Sequence, residues 1–195
     1  MQSIRSLLRL FFTWDMNKIE FSFERKKIEE LTHRQKEVIE TAKNASIPCI
    51  SVNWGFKDTG FLKAAKNACD KSYSPYSHFS VGAAVEMENG EILSASNQEN
   101  ASYPSGLCAE RNVLFYAKAQ YPDKEVIRIA IVAKNEGVVT KTPVSPCGSC
   151  RQVMTETAMR QKRKIELIMA GEDTCIIVHD VNDLLPLQFN ADSMR

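Results

Sequence analysis

Three cysteines and one glutamate carry the chemistry this sequence can do. Cys147 and Cys150 form a Cys-x-x-Cys preceded by Pro146. Proline suits the first turn of a helix, so the spacing predicts both thiols at a helix N-terminus. Residues three apart on a helix point the same way. The unpaired N–H groups and the dipole at that end favour thiolate over thiol. Two convergent thiolates make half of a tetrahedral zinc site, which wants nitrogen and sulfur ligands. Taken alone, the spacing also fits a redox dithiol. A structural zinc ribbon would need a second Cys-x-x-Cys, and the sequence has none. Cys108-Ala109-Glu110, 39 residues upstream, lifts the signal. A third thiolate with a carboxylate two residues on has the make-up of a catalytic zinc centre: three protein ligands, a fourth position for water and an acid–base group beside it. Residues two apart in a helix diverge by about 200°. Cys108 and Glu110 therefore reach one pocket only if Cys108 lies at the very start of its helix, and Pro104-Ser105-Gly106 is a breaker in the right place.

The elements that must position these residues can be read from periodicity. Glu29 to Ala45 has helical spacing, with Leu31, Val38, Ile39 and Ala42 on one face and Thr32 as a cap. Ser46 to Gly60, with Pro48 and two glycines, reads as a loop, and Phe61 to Lys71 as a short helix. Ala65 to Ala68 echoes Ala42 to Ala45, too short a match to establish a repeat. Val81 to Met87 and Ile92 to Ser96 flank Asn89-Gly90, a type I′ hairpin signal. Leu107 to Gln120 reads as a helix with Ala109, Val113, Tyr116 and Ala117 on one side. The apolar run Val126 to Ala133 reads as a buried strand. Pro146 opens a helix whose Cys150, Val153, Met154, Thr157 and Ala158 share a face. Ile165 to Ala170 and Cys175 to His179 read as strands, and Leu184-Leu185-Pro186 begins the tail. The expected architecture is α/β, in three layers: a mixed sheet of about five strands with helices on both faces.

Composition bounds the rest. The 195 residues suit one domain with an extension. We divide the chain into an N-terminal extension, residues 1–60, of helix and loop, and a catalytic domain, 61–195. Lys plus Arg total 25 against 24 Asp plus Glu, so no global charge draws the chain to polyanions. No run of 18 apolar residues is present, so no ordinary membrane-spanning helix is expected. In MQSIRSLLRLFFTWDM, Arg9 interrupts the apolar core a secretory signal needs, and Thr13-Trp14-Asp15 is a poor cleavage site. The segment reads as a surface extension or as the product of an upstream start codon with initiation at Met16; a short amphipathic membrane contact is the alternative. The expected compartment is the reducing cytoplasm, where thiols serve as ligands or catalytic groups rather than disulfides. Cys49, Cys69 and Cys175 lack partner spacing and read as buried small hydrophobes, and His33, His78 and His179 stand isolated.

Cys-Ala-Glu followed by Pro-Cys-x-x-Cys resembles the zinc-deaminase signature, with cysteine where histidine is more common. Tyr76-Ser-His-Phe79-x-Val81-Gly82-Ala83-Ala84, Asn97-x-Glu99-Asn100-Ala101-x-Tyr103, Cys108-Ala-Glu110-Arg111, Pro146-Cys147-Gly-x-Cys150-Arg151-Gln152 and Leu184-Leu185-Pro186 follow in the order of the short, homotetrameric cytidine deaminases. The resemblance spans Lys63 to Phe189, about two-thirds of the chain. It implies one Zn²⁺ per subunit on Cys108, Cys147 and Cys150, with Glu110 as proton carrier in the hydrolytic loss of the cytosine 4-amino group. Three thiolates over-neutralise one Zn²⁺. Arg111 is implied to drain charge from the sulfurs by hydrogen bonding to them. Asn97 and Glu99, two apart at a strand end, would face the same side, and the family uses these positions to hold ribose. The same resemblance places Phe79, Ala101, Tyr103, Ala109 and the Ser145-Pro146 turn against substrate, and has Phe189 reach the site of an adjacent subunit.

The expected substrates are cytidine and 2′-deoxycytidine, in pyrimidine salvage. Arg160, Lys162, Arg163 and Lys164 form a basic cluster at a predicted helix end, where cations suit the dipole. No groove of alternating basic and aromatic residues suggests a stable nucleic-acid partner, and no membrane partner is expected. Three other readings stay open: a deaminase of another cytosine nucleoside such as a blasticidin-type antibiotic, a C-to-U nucleic-acid editor, and a non-enzymatic zinc-stabilised interaction domain.

Overall fold

The computed structural model describes residues 49–53, as backbone, and 60–194. The expected helix over 29–45 and the segment 1–16 lie outside the described residues. Six strands form one sheet in the order β1 (Cys49–Asn53), β7 (Thr174–Val178), β6 (Glu166–Ala170), β4 (Val126–Asn135), β2 (Phe79–Met87), β3 (Ile92–Ser96). A two-residue strand, β5 (Val138–Val139), is appended to the end of β4. Helix α1 (Gly60–Ala68) precedes β2, α2 (Ala109–Gln120) joins β3 to β4, and α3 (Gly148–Gln161) lies between β5 and β6. Strands β4 and β6 are parallel and the other pairs antiparallel, so the sheet is mixed. A parallel pair needs a crossover, and the segment containing α3 supplies it.

Period-two alternation sorts the core into two layers. Ala83, Val85 and Met87 of β2, Ile129 and Ile131 of β4, Leu167 and Met169 of β6, and Ile176 and Val178 of β7 turn to α2 and α3. Ala84, Ala130, Val132, Ile168, Ala170, Cys175 and Ile177 turn the other way and meet Phe61, Leu62 and Ala65 of α1. This is the expected three-layer α/β arrangement. Small residues in β2 let α1 approach closely: a Cβ on Gly82 would stand 2.0 Å from the Ala65 carbonyl oxygen.

Several local expectations need correcting. The stretch read as a loop over 46–60 contains β1, whose five residues pair with β7. The turn between β2 and β3 is not type I′. That turn needs positive φ at both central residues, and only Gly90 (φ +86) has it. The Gly90 amide donates to the Met87 carbonyl and Met87 N–H to Glu91, a three-residue loop closed by a left-handed glycine. Pro146 does not enter its helix; Cys147 caps α3, one residue later. In α2, Ala109, Val113 and Ala117 are buried as expected, but Tyr116 is half exposed and Leu114 is buried in its place. Of the basic cluster, Lys162 is the left-handed C-cap of α3, Arg163 pairs with Glu125 and Lys164 with Asp180. Among the described residues no helix is long and apolar enough to cross a membrane.

Candidate metal centre and active site

Two helix starts meet at the site. Cys108 is the N-cap of α2, with extended backbone (φ −71, ψ 153), and its carbonyl accepts from Asn112 N–H. Cys147 caps α3 in the same way (φ −68, ψ 167), its carbonyl accepting from Arg151 N–H. Neither sulfur caps its own helix. Both are left free to turn toward one another. Cys150, one turn into α3, is fully buried.

The Cys108 and Cys147 sulfurs lie 3.9 Å apart, those of Cys147 and Cys150 3.5 Å, and all three fall within 4.8 Å of one another. Tetrahedral zinc with Zn–S bonds of about 2.3 Å sets its sulfurs about 3.8 Å apart. The three thiols therefore fit a zinc ion in both donor type and spacing. Among the described residues they form the one group of three close donors that could hold a metal.

Glu110 occupies the first turn of α2 and is only 5% exposed. Burial pushes its carboxyl pKa up, and the neighbouring Cys108 sulfur pushes the same way. The carboxylate is close enough to interact with the Cys150 thiol. Cys108 is held far down, at about 5, first by the hydrogen bond from the Cys150 thiol and also by those from Arg111 and Cys147. Cys150 moves the other way, because its proton is the one shared with Cys108 and its site is buried. The Arg111 Nη2 donates to the Cys108 sulfur at 3.9 Å, so its guanidinium faces the thiolates rather than solvent.

The remaining expected positions line the loops beside β2 and β3. Asn97 follows directly on β3. Its Oδ1 accepts from the Ser72 hydroxyl (2.6 Å) and Val81 N–H (2.7 Å), and its Nδ2 donates to the Phe79 carbonyl (2.9 Å). An amide offers two lone pairs and two N–H bonds, so one N–H is left. Glu99 accepts from the Ser77 hydroxyl on Oε1 and from the amides of Tyr76 (2.9 Å) and Ser77 (3.3 Å) on Oε2. Four lone-pair sites minus three leaves one acceptor. Its pKa lies below the usual carboxylate range, chiefly through the Ser77 hydroxyl.

Phe79 opens β2 and is half-buried, Ala101 is exposed, and Ala109 is fully buried as the first residue of α2. Tyr103 is 76% exposed and stands edge-on to Tyr76 at 6.0 Å between ring centroids. The structure thus brings Cys108, Cys147, Cys150, Glu110 and Arg111 together. It leaves Phe189 61% exposed, with its carbonyl accepting from Gln152 Nε2.

Some contributors were given no role by the sequence reading, even where they stood inside a motif. Asn112 Nδ2 donates to the Ser96 carbonyl at 2.8 Å, tying α2 to the end of β3 just before Asn97. Arg151 donates from Nε to the Pro146 carbonyl and from Nη1 to that of Leu184, bracing the turn that carries Cys147. Ser72 and Ser77 act through single hydroxyls on a loop, where no periodicity marks them.

Three sulfurs at two helix starts that could hold a metal ion, with a buried carboxyl beside them and a mixed sheet behind, have the make-up of a hydrolytic zinc centre. Comparison with known proteins agrees. The model of the cytidine and deoxycytidylate deaminase zinc-binding region matches residues 56–164. The cytidine deaminase of Halalkalibacterium halodurans is 41% identical over 134 residues, covering 69% of this chain and 95% of that protein. The crystal structure of cytidine deaminase from Burkholderia pseudomallei superposes with a TM-score of 0.55 at 37% identity, over 67% of this chain and 97% of that one. That of the Mycobacterium tuberculosis enzyme gives 0.53 at 30% identity, over 67% and 95%. The chain belongs to the cytidine and deoxycytidylate deaminase family.

Proposed function

We propose that this protein is a zinc-dependent cytidine deaminase, converting cytidine and 2′-deoxycytidine with water to uridine and 2′-deoxyuridine and ammonia. One observation carries the reading: three sulfurs spaced for one metal, beside a carboxyl that is 5% exposed and has no ion-pair partner of its own among the described residues. A structural zinc site has no use for that buried acid.

Cys108, Cys147 and Cys150 would hold the zinc, one per subunit. Bound zinc supplies Lewis-acid activation, bringing the pKa of water down toward about 7. Glu110 accepts a proton from the attacking water as the new C4–O bond forms, and delivers it to the adjacent ring nitrogen. It then carries the second water proton to the amine, and the C4–N bond breaks with ammonia leaving. One carboxyl serves both transfers because each delivery regenerates the base. The raised pKa that burial gives it shortens the gap to neutral pH. Arg111 offsets the excess negative charge of three thiolates on a divalent ion, through its contact with the Cys108 sulfur.

Asn97 and Glu99 hold the sugar. Their residual capacity is one donor and one acceptor, the complement of a single hydroxyl, which donates to Glu99 and accepts from Asn97. A grip on one hydroxyl leaves the other unread, which supports turnover of both ribo- and deoxyribonucleosides. Phe79, Ala101, Tyr103, Ala109 and the Ser145-Pro146 turn surround the base and sugar. Phe189, exposed in the single chain, completes the site of a neighbouring subunit in a homotetramer. We take 61–195 as the catalytic domain, the role as pyrimidine salvage in the cytoplasm, and the partner as the free nucleoside rather than nucleic acid or membrane.

The test is ammonia release from cytidine with a matched zinc assay. Stoichiometric zinc with turnover of free cytidine and 2′-deoxycytidine is expected. Zinc-loaded protein that acts on single-stranded DNA and not on either nucleoside overturns the assignment.

A further inference from the structure

We infer that Ser72 is a positioning residue for nucleoside binding, acting through Asn97; the inference builds on the sugar-holding role proposed for Asn97. The orientation of the Asn97 amide is set by two backbone groups. Val81 N–H must meet an oxygen and the Phe79 carbonyl must meet an N–H, so Oδ1 and Nδ2 have one arrangement. The third contact, with Ser72 Oγ at 2.6 Å, then falls on Oδ1, which can only accept. The single proton of the Ser72 hydroxyl is thereby committed to Asn97.

Ser72 Oγ also lies 3.2 Å from Ser74 Oγ, again on the donor side. One proton cannot serve both acceptors, and the shorter contact, 2.6 Å to Asn97 Oδ1, takes it. An amide whose oxygen takes two hydrogen bonds is fixed in rotation, and its remaining N–H is the stronger donor for it.

The backbone here does not depend on the Ser72 hydroxyl. Tyr73 N–H donates to the Asn97 carbonyl (3.1 Å) and Glu99 N–H to that of Tyr73 (2.8 Å). Deleting the hydroxyl loosens the amide while the loop stays in register. The consequence falls on binding of one sugar hydroxyl and not on the proton transfers at Glu110.

The experiment compares wild type, Ser72→Ala and Ser72→Thr on cytidine, 2′-deoxycytidine and 3′-deoxycytidine, with zinc content measured throughout. A nucleoside turned over too slowly is read as an inhibitor of cytidine turnover. For nucleosides that keep the hydroxyl held by Asn97, Ser72→Ala should raise KM about fivefold to tenfold, the worth of one net hydrogen bond, with kcat within about twofold. For the nucleoside lacking that hydroxyl, variant and wild type should bind alike. Ser72→Thr, which keeps the donor, should recover most of the loss. An equal loss for all three nucleosides, a fall in kcat with KM unmoved, or a threonine variant that behaves like alanine would overturn the inference. A wild type that turns over none of the nucleosides refutes the proposed function and this inference with it. An active wild type with an unaffected Ser72→Ala variant refutes the inference alone.

Discussion

Replacing Glu110 by glutamine isolates the chemistry from the architecture. The side chain keeps its size and loses only the ability to carry a proton. It is 5% exposed, and burial already pushes its carboxyl pKa upward, so the ionised form is costly to keep inside the fold. A neutral amide carries no such penalty, and the variant should melt at or slightly above the wild-type temperature. The three sulfurs are untouched, so zinc content should stay at one per chain. Turnover should collapse. One lost proton transfer costs about 10²–10⁴-fold, or about 2.7–5.4 kcal/mol of barrier at 1.36 kcal/mol per decade. Glu110 is asked to make both transfers, so kcat should fall at least as far as the upper end. The assay pairs the ultraviolet change on loss of the exocyclic amine with metal analysis and calorimetry of the same sample. A Glu110→Gln enzyme within tenfold of wild type, with zinc intact, would show that the proton takes another route and remove Glu110 from the mechanism.

Cys150→Ala should lose zinc and destabilise the chain, since metal binding is coupled to folding; full zinc content by metal analysis would refute the ligand assignment. In chelated wild type, iodoacetamide should modify Cys108, whose pKa lies near 5, and spare Cys69 and Cys175, which burial pushes up to about 11; peptide mass mapping reads the pattern, and early labelling of Cys69 or Cys175 would contradict it. Gly82→Ala should lower the melting temperature by roughly 5–10 °C, because its Cβ would press on the Ala65 carbonyl of α1 at 2.0 Å; an unchanged melting curve would mean the helix yields freely. Ser77→Ala removes the hydroxyl that chiefly lowers the Glu99 pKa. A depressed carboxylate stays charged to lower pH, so the acid limb of kcat/KM should move to higher pH in the variant, and an unmoved limb would separate Glu99 from that limb.

The layers of the fold were legible because they follow from period. Val126 to Ala133 is apolar except at Arg128, and β4 is indeed covered on both faces. The cysteine spacing was equally informative: a helix start forces the sulfur at the cap and the residue one turn on to converge. Turn chemistry was less so. Asn89-Gly90 suits a type I′ turn, yet a single left-handed glycine after Glu88 and Asn89 closes the hairpin equally well, and the residue types do not choose between them. β1 was missed because the breakers Pro48, Gly55 and Gly60 outweighed the short alternation of Ile50 and Val52; its identity comes from the partner β7, five residues paired at long range. The contact of Ser72 with Asn97 could not be read at all, since a serine on a loop says nothing about its partner until Val81 N–H and the Phe79 carbonyl orient the Asn97 amide.

β1 has one further consequence. A strand at the margin of a sheet displays a ladder of unmet amides and carbonyls, a template on which stray chains can add. Every residue of β7 is buried, and its Cys175 to Val178 face β6 on one side while all five of its residues face β1 on the other. The most apolar strand on that flank is therefore kept inside the sheet, and it is a short piece of chain ahead of the matched deaminase region, which starts at residue 56, that screens it from sticking to its neighbours.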